Sequence, residues 1–298
     1  MKPAIAILSL FLALPCCNAQ TPKEKFITYS LQIERAETAA AHGKHAQAMD
    51  TYDSAFALLP FMGYDYFDAV VNALKAGSDE RANELLIQGT ENGLILKGQY
   101  DSTLHSFLQS ERCMPYLNMQ DYMRARWLSH ADTVLMRKLR NVGSWYVMVE
   151  DSSGNTVQVT DSSAFVRLMA LVKESGWPTP LTVGSDFYRA QSLLFNQLYD
   201  YPASPKWQQI LPYIQTAMNR GALPPDFLAP FQDMADIDKG KPTTYGVMLA
   251  FYSEDPSKWD LVDRATLNKN RASIGLGPVE DFAFRYNIDL SNARFAEP

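Results

Sequence analysis

The sequence predicts a mainly α-helical protein: helical hairpins at the N-terminal end, packed on a helical domain that carries two small β-hairpins. Three observations carry this. Apolar residues recur at three- and four-residue spacing along most of the chain. Glycine and proline punctuate those stretches where helices would stop or start. Only two places, Trp145–Val159 and Tyr245–Trp259, group β-branched and aromatic residues around a turn-forming cluster.

Composition sets the class. The chain has 298 residues, 47% of them hydrophobic and 20% charged, which suffices for one large or two small cores. The formal charge of −6 lacks the basic footprint of a nucleic-acid binder, so no nucleic-acid partner is expected. Residues 1–19 read as a signal peptide. Lys2 precedes the apolar run Ala4–Leu14, which at eleven residues is too short to span a bilayer. Small residues at Cys17 and Ala19 suit cleavage before Gln20. The other reading is a lipoprotein, anchored to the membrane through an acyl chain on Cys16 or Cys17. Either way the chain is expected to be exported, to the periplasm or beyond. After such cleavage Cys113 is the one remaining cysteine, so no intramolecular disulfide is expected.

An internal repeat follows. Gly43 and Gly77 stand 34 residues apart, as do Ala48 and Ala82. The first unit runs Gly43, His45, Ala48, Tyr52, Ala55, Pro60. This order resembles the tetratricopeptide repeat, with His45 where an aromatic is usual. Helices are predicted over 23–42, 45–58, 63–76 and 79–92. Two repeats cannot bury a continuous face alone, so a helix over Tyr100–Ser110 is expected to cap them. The predicted division is therefore 20–110 for repeats and cap, and 111–298 for the helical domain.

The second part centres on Ser163–Tyr199. Phe165, Leu168, Met169 and Val172 form one helical stripe, stopped by Gly176 and Pro178, and Trp177 reads as a plug at that turn. Ser185 or Asp186 is expected to cap the next helix. A single helix is predicted over Gln120–Leu139, one from Ser204–Pro205 to Gly221, one from Pro224–Asp226 to Gly240, and one over Asp263–Ser273. Val279–Tyr286 adds a last turn or two.

Within this part lie Gln120-Asp121-Tyr-Met-Arg124, Gly176-Trp177-Pro178, Val183-Gly184, Tyr245-Gly246 and Arg271-Ala-Ser-Ile-Gly275-Leu276-Gly-Pro278. Their order and spacing resemble a bacterial exported family catalogued as domain of unknown function 6624, over roughly residues 110–288. The first pair is inverted here, and Thr243 stands where the family often has glutamine. A histidine frequent in the family is absent around Phe195–Leu198. The resemblance implies no established activity.

The residue chemistry narrows function further. The four histidines are His42, His45, His105 and His130, which leaves the chain after residue 130 without imidazole for a Ser-His-Asp or Cys-His mechanism. His42 and His45 read as exposed turn residues, and His130 with Asp132 as a surface pair. Asp233, Asp236 and Asp238 read as a solvated helix end. No metal site, phosphate loop or cofactor motif is found, and catalytic residues cannot be named. Asp121 and Arg124, three apart on one helix, are expected to pair. The sequence points to a non-enzymatic cell-envelope interaction protein, with a protein or peptide partner held by the repeats. The second reading is a small-molecule-binding or hydrolase-like C-terminal domain, with Asp121, Arg124, Tyr245 and Arg271 as its candidate site.

Overall fold

The computed structural model describes residues 20–59, 65–96, 101–143, 146–150, 153, 156–160, 162–197, 201–250 and 260–297. The expected signal peptide, the Asp151–Asn155 turn apart from Ser153, and the stretch 251–259 lie outside them. The protein is mainly α-helical, as its sequence predicts. Four helices open it: α1 (Pro22–Ala41), α2 (His45–Leu58), α3 (Asp65–Lys75) and α4 (Asp79–Glu91). Thr21 and Glu24 close a capping box at the start of α1, so two orphan N–H groups are satisfied reciprocally. The two hairpins turn alike. Gly43 and Gly77 sit at φ +73° and +76°, where a Cβ would be strained. Each hairpin closes with the same pair of bonds: Gly43 N to Ala40 O and Lys44 N to Ala39 O, Gly77 N to Leu74 O and Ser78 N to Ala73 O, all 2.9 Å. Ala36, Ala48, Ala55, Ala69, Ala73 and Ala82 are fully buried. Their small side chains let the four helices approach, and Tyr52, Phe56 and Tyr66 fill the space left, with the Phe56 and Tyr66 rings stacked at 4.0 Å.

Helix α5 (Ser102–Leu108) covers α3, and α6 (Met114–His130) packs on α4. Cys113 and Tyr116 still belong to this first core, whereas Trp127 belongs to the next, so α6 serves both. The Cys113 thiol is buried and pushed up to about 11, which keeps it protonated and inert.

The single helix expected over 120–139 is two. α7 (Thr133–Arg140) starts afresh because Asp132 accepts from Leu135 N at 2.8 Å and so caps it. Asp132 is thus a helix cap, not the partner of His130. Strands β1 (Tyr146–Glu150) and β2 (Thr156–Thr160) form the expected antiparallel hairpin. Then come α8 (Ser162–Ser175), α9 (Pro180–Val183), α10 (Phe187–Gln197), α11 (Pro205–Asn219) and α12 (Ala229–Asp238). Trp177 is buried edge-on to Phe227, 5.6 Å between ring centres, a plug as expected. Asp186 does not cap α10; it binds the Arg140 guanidinium at 2.6 and 2.9 Å.

Of the second expected hairpin, residues 251–259 lie outside the described residues, and 245–250 do not form its first strand. Residues 247–250 make a 3-10 turn, and β3 (Asp260–Leu261) pairs in parallel with β4 (Arg294–Phe295) from the far end of the chain. Between these strands run α13 (Arg264–Ser273) and α14 (Val279–Arg285). The apolar run Met248–Leu249 is buried, which explains its strand-like composition without a strand.

The two parts meet along α1, which touches α11, α13 and α14. Gly275, at φ +84°, lies so close to α1 that a Cβ would come within 2.8 Å of the Ser30 Cβ. The α1 face that an isolated hairpin pair would expose is covered by the chain's own C-terminal part.

Candidate functional site

The four sequence candidates separate into two places. Arg271 and Tyr245 come together. The Arg271 side chain is fully buried; its Nη1 donates to Tyr245 O at 2.9 Å, its Nε to Gly277 O at 2.6 Å, and its guanidinium lies 4.8 Å from the Phe282 ring centre. Among the described residues no carboxylate makes an ion pair with it, and its Nη2 has no hydrogen-bond partner. Burial pushes its pKa down, against the raising charges of Glu34, Asp233 and Asp226. Arg271 ties the Gly275–Pro278 turn to the Tyr245 loop by carbonyl contacts.

That loop is held from α12. The Asp233 carboxylate, fully buried, accepts from Tyr245 N at 2.8 Å and from Val247 N at 2.7 Å. Asp236 accepts from Thr244 N at 3.1 Å and Thr244 Oγ1 at 2.7 Å. Burial pushes the Asp233 carboxyl up to about 6 although backbone donors oppose it. The expected solvated helix end is therefore wrong for Asp233 and Asp236; only Asp238 is exposed. What misleads in the sequence is that the donors, three backbone N–H groups and the Thr244 hydroxyl, sit in a loop eight to fourteen residues away.

Asp121 and Arg124 stand elsewhere, on α6. Asp121 is exposed and Arg124 half-buried, and no ion pair or hydrogen bond joins them to each other, to Tyr245 or to Arg271 among the described residues. The expected pair is thus absent: with its neighbours on α6 turned to solvent, nothing compels two long side chains to give up their freedom. With no ion pair to lose, Arg124→Ala is expected to change stability by less than about 1 kcal/mol in a urea melt. A loss near 3 kcal/mol, the cost of breaking a buried pair, would contradict that geometry.

A different constellation emerges inside the hairpin pair. A groove of about 330 Å³ opens between α1, α2 and α3 and is walled on one side by the end of α14. Its apolar lining is Ala40, Ala41, Val71 and Tyr52; its polar lining includes His45, Asp68, Asn72 and Lys75. The α14 wall is clamped in place: Arg285 donates to both Glu34 and Glu37 of α1, and the His42 ring stacks on Phe284 at 3.9 Å. His42 and His45 are therefore not plain turn residues. His45 Nδ1 lies 2.8 Å from Asn72 Oδ1, and Asn72 Nδ2 donates to His45 O at 2.9 Å.

Behind Tyr52 lies Asp65, whose carboxylate accepts from Tyr29 OH at 2.5 Å. Asp65 and Asp226 keep some contact with solvent, yet the protein around them dominates their titration. Burial pushes Asp65 up to about 7, with the Tyr29 hydrogen bond opposing and Asp68 and Asp226 adding to the rise. Burial likewise pushes Asp226 up to about 6. Both carboxyls lie where the hairpins meet the C-terminal part, and the Asp226 charge raises Asp65.

Fold and groove together define a helical hairpin stack whose groove is closed in cis by a C-terminal helix. No family model, curated protein or solved structure matches the chain.

Proposed function

We propose that the chain is a non-enzymatic binding protein of the cell envelope, and that its ligand lies in the groove between α1, α2, α3 and α14. One observation carries this. The groove is built jointly by the helical hairpins and by α14, which Arg285 fastens to Glu34 and Glu37. The tetratricopeptide-like reading of the hairpins supports a binding role, since such helix pairs present concave faces. The covered face of α1 argues against a partner spread along the whole repeat surface and concentrates the proposal on this groove. Export rests on the charged start and apolar run of residues 1–19. The intact mass of the protein from the envelope fraction tests that part; a species still starting at Met1 without an acyl group refutes it.

The groove is tested with a small-molecule library, read as thermal shifts of the mature chain. Ala41 lines the groove and is exposed, so Ala41→Trp fills it without disturbing a core. Hits are expected to vanish in Ala41→Trp and to persist in Val166→Trp, at an exposed position away from the groove. Hits indifferent to Ala41→Trp, or no hits, overturn the proposal.

A further inference from the structure

A second cavity lies against an earlier stretch of α1, between that helix and the α13–α14 turn. It measures about 330 Å³, at the small end of the usual range for small-molecule pockets, about 300–1,000 Å³. It shares no lining residue with the groove. Its wall is aliphatic: Leu31, Ala272, Leu276 and Pro278. Its charged lining is Glu34, Arg35 and Asp281.

These charges differ in what they already hold. Glu34 accepts from Arg285 and is neutralised by it. Arg35 and Asp281 make no ion pair or hydrogen bond among the described residues, not even with each other. One free cation from α1 and one free carboxylate from α14 therefore line the same cavity. Both also line the neighbouring cleft between α1 and α2, and Arg35 is exposed, so they stand at the open end of the cavity.

A backbone group adds an observation independent of these charges. Gly277 is buried and lines the cavity. Its carbonyl accepts from Arg271, but its N–H makes no hydrogen bond among the described residues. A buried backbone donor normally has a partner. The remaining polar side chain, Asn268, is engaged by Val279 N and Glu280.

We infer that this cavity takes a free α-amino acid with an aliphatic side chain. The ligand carboxylate sits on the Arg35 guanidinium, whose fork matches it, with the Gly277 N–H as a further donor. The ligand ammonium sits on Asp281. The side chain lies on Leu31, Ala272, Leu276 and Pro278. A ligand with a single charge would leave Arg35 or Asp281 unanswered. The site is separate from the groove, so the two stand or fall independently.

Isothermal titration of the mature chain uses L-leucine, L-valine, isopentylamine and 4-methylpentanoate. The last two are leucine without its carboxylate and leucine without its ammonium. L-Leucine or L-valine is expected to bind at least about tenfold more tightly than either single-charge analogue. Arg35→Gln is expected to weaken the amino acid by about tenfold or more and to leave isopentylamine unchanged. Asp281→Asn is expected to weaken the amino acid similarly and to leave 4-methylpentanoate unchanged. Neither side chain has an ion pair or hydrogen bond to lose, so both variants are expected to fold. Ala272→Trp, at an exposed position on the cavity wall, is expected to abolish binding, and Ala41→Trp, in the groove, to preserve it. A single-charge analogue that binds as tightly as the amino acids overturns the inference. So does amino-acid binding indifferent to Arg35→Gln and Asp281→Asn, or lost in Ala41→Trp and kept in Ala272→Trp. Absence of binding by both amino acids at millimolar concentration overturns it as well.

Discussion

Asp233→Ala is expected to lower stability by about 3 kcal/mol or more, measured as the free energy of urea unfolding of the mature chain. The carboxylate is fully buried and holds Tyr245 N and Val247 N. Hydrogen bonds to a charged acceptor are worth about 1.5–3 kcal/mol each, and alanine leaves both donors unsatisfied. The loss propagates, because Tyr245 O is one of the two carbonyls that hold the Arg271 guanidinium. Loosening the loop releases one arm of a buried cation that has no carboxylate partner. Asp233→Ala and Arg271→Ala are therefore expected to be less than additive, since each dismantles the same junction. Asp233→Asn keeps one acceptor oxygen and is expected to fall between parent and alanine. Parent-like stability for Asp233→Ala, or strict additivity with Arg271→Ala, would show that the loop is held by something else.

Much of the fold was legible because it is local. The starts and ends of α1, α2, α3 and α4 fall within about two residues of where spacing, glycine and capping place them, the uncertainty usual at helix ends. Gly43 and Gly77 announce their turns because only a residue tolerant of positive φ suits them. The first β-hairpin was legible for the same reason. What failed is what depends on distant partners. Asp132 breaks a long apolar pattern because its backbone N–H also finds Thr182 O, 50 residues on. The run at Tyr245 looked like a strand because it is apolar; the N–H groups of Tyr245 and Val247 are satisfied by Asp233 instead of a neighbouring strand. The site follows the same division. Arg271 and Tyr245 were found from motif position, and they do meet. The groove was missed, although its helices were placed correctly. Its acceptors come from α2 and α3, and its wall from α14, more than 200 residues away in sequence. No periodicity reports that His45 and Asn72 share two hydrogen bonds, or that Arg285 reaches Glu34 and Glu37.

The mature chain is expected to become less stable as pH rises from 5 to 8, and Asp65→Asn is expected to remove much of that slope. Folding raises the Asp65 carboxyl from an ordinary 3.8 to about 7, chiefly by burial, with Asp226 and Asp233 raised to about 6. A group held above its unfolded value binds its proton more tightly when folded. Its contribution is complete below the unfolded value near 4 and is lost as pH climbs through the folded value, so the window runs from about 4 to 7. For Asp65 the full swing is of order 4 kcal/mol, and its half-buried position argues for the lower part of a range of about 2–4. The groups around it are Tyr29, Tyr66, Asp68, Asp226 and Tyr52. Burial keeps the Tyr29, Tyr52 and Tyr66 phenols protonated throughout this range, so they add no slope of their own. Asp79, Asp101 and Asp263, lowered in the folded state by hydrogen bonds or ion pairs, act in the opposite sense and mainly below pH 5. Asparagine at 65 can still accept from Tyr29 OH, so Asp65→Asn is expected to be more stable than the parent at pH 8 by about 2 kcal/mol and similar to it at pH 5. Urea melts of both proteins across pH 5–8 decide the matter. A parent whose stability is flat or rising over that span would mean that Asp65 is ionised and stabilised in the folded protein by a partner other than Tyr29.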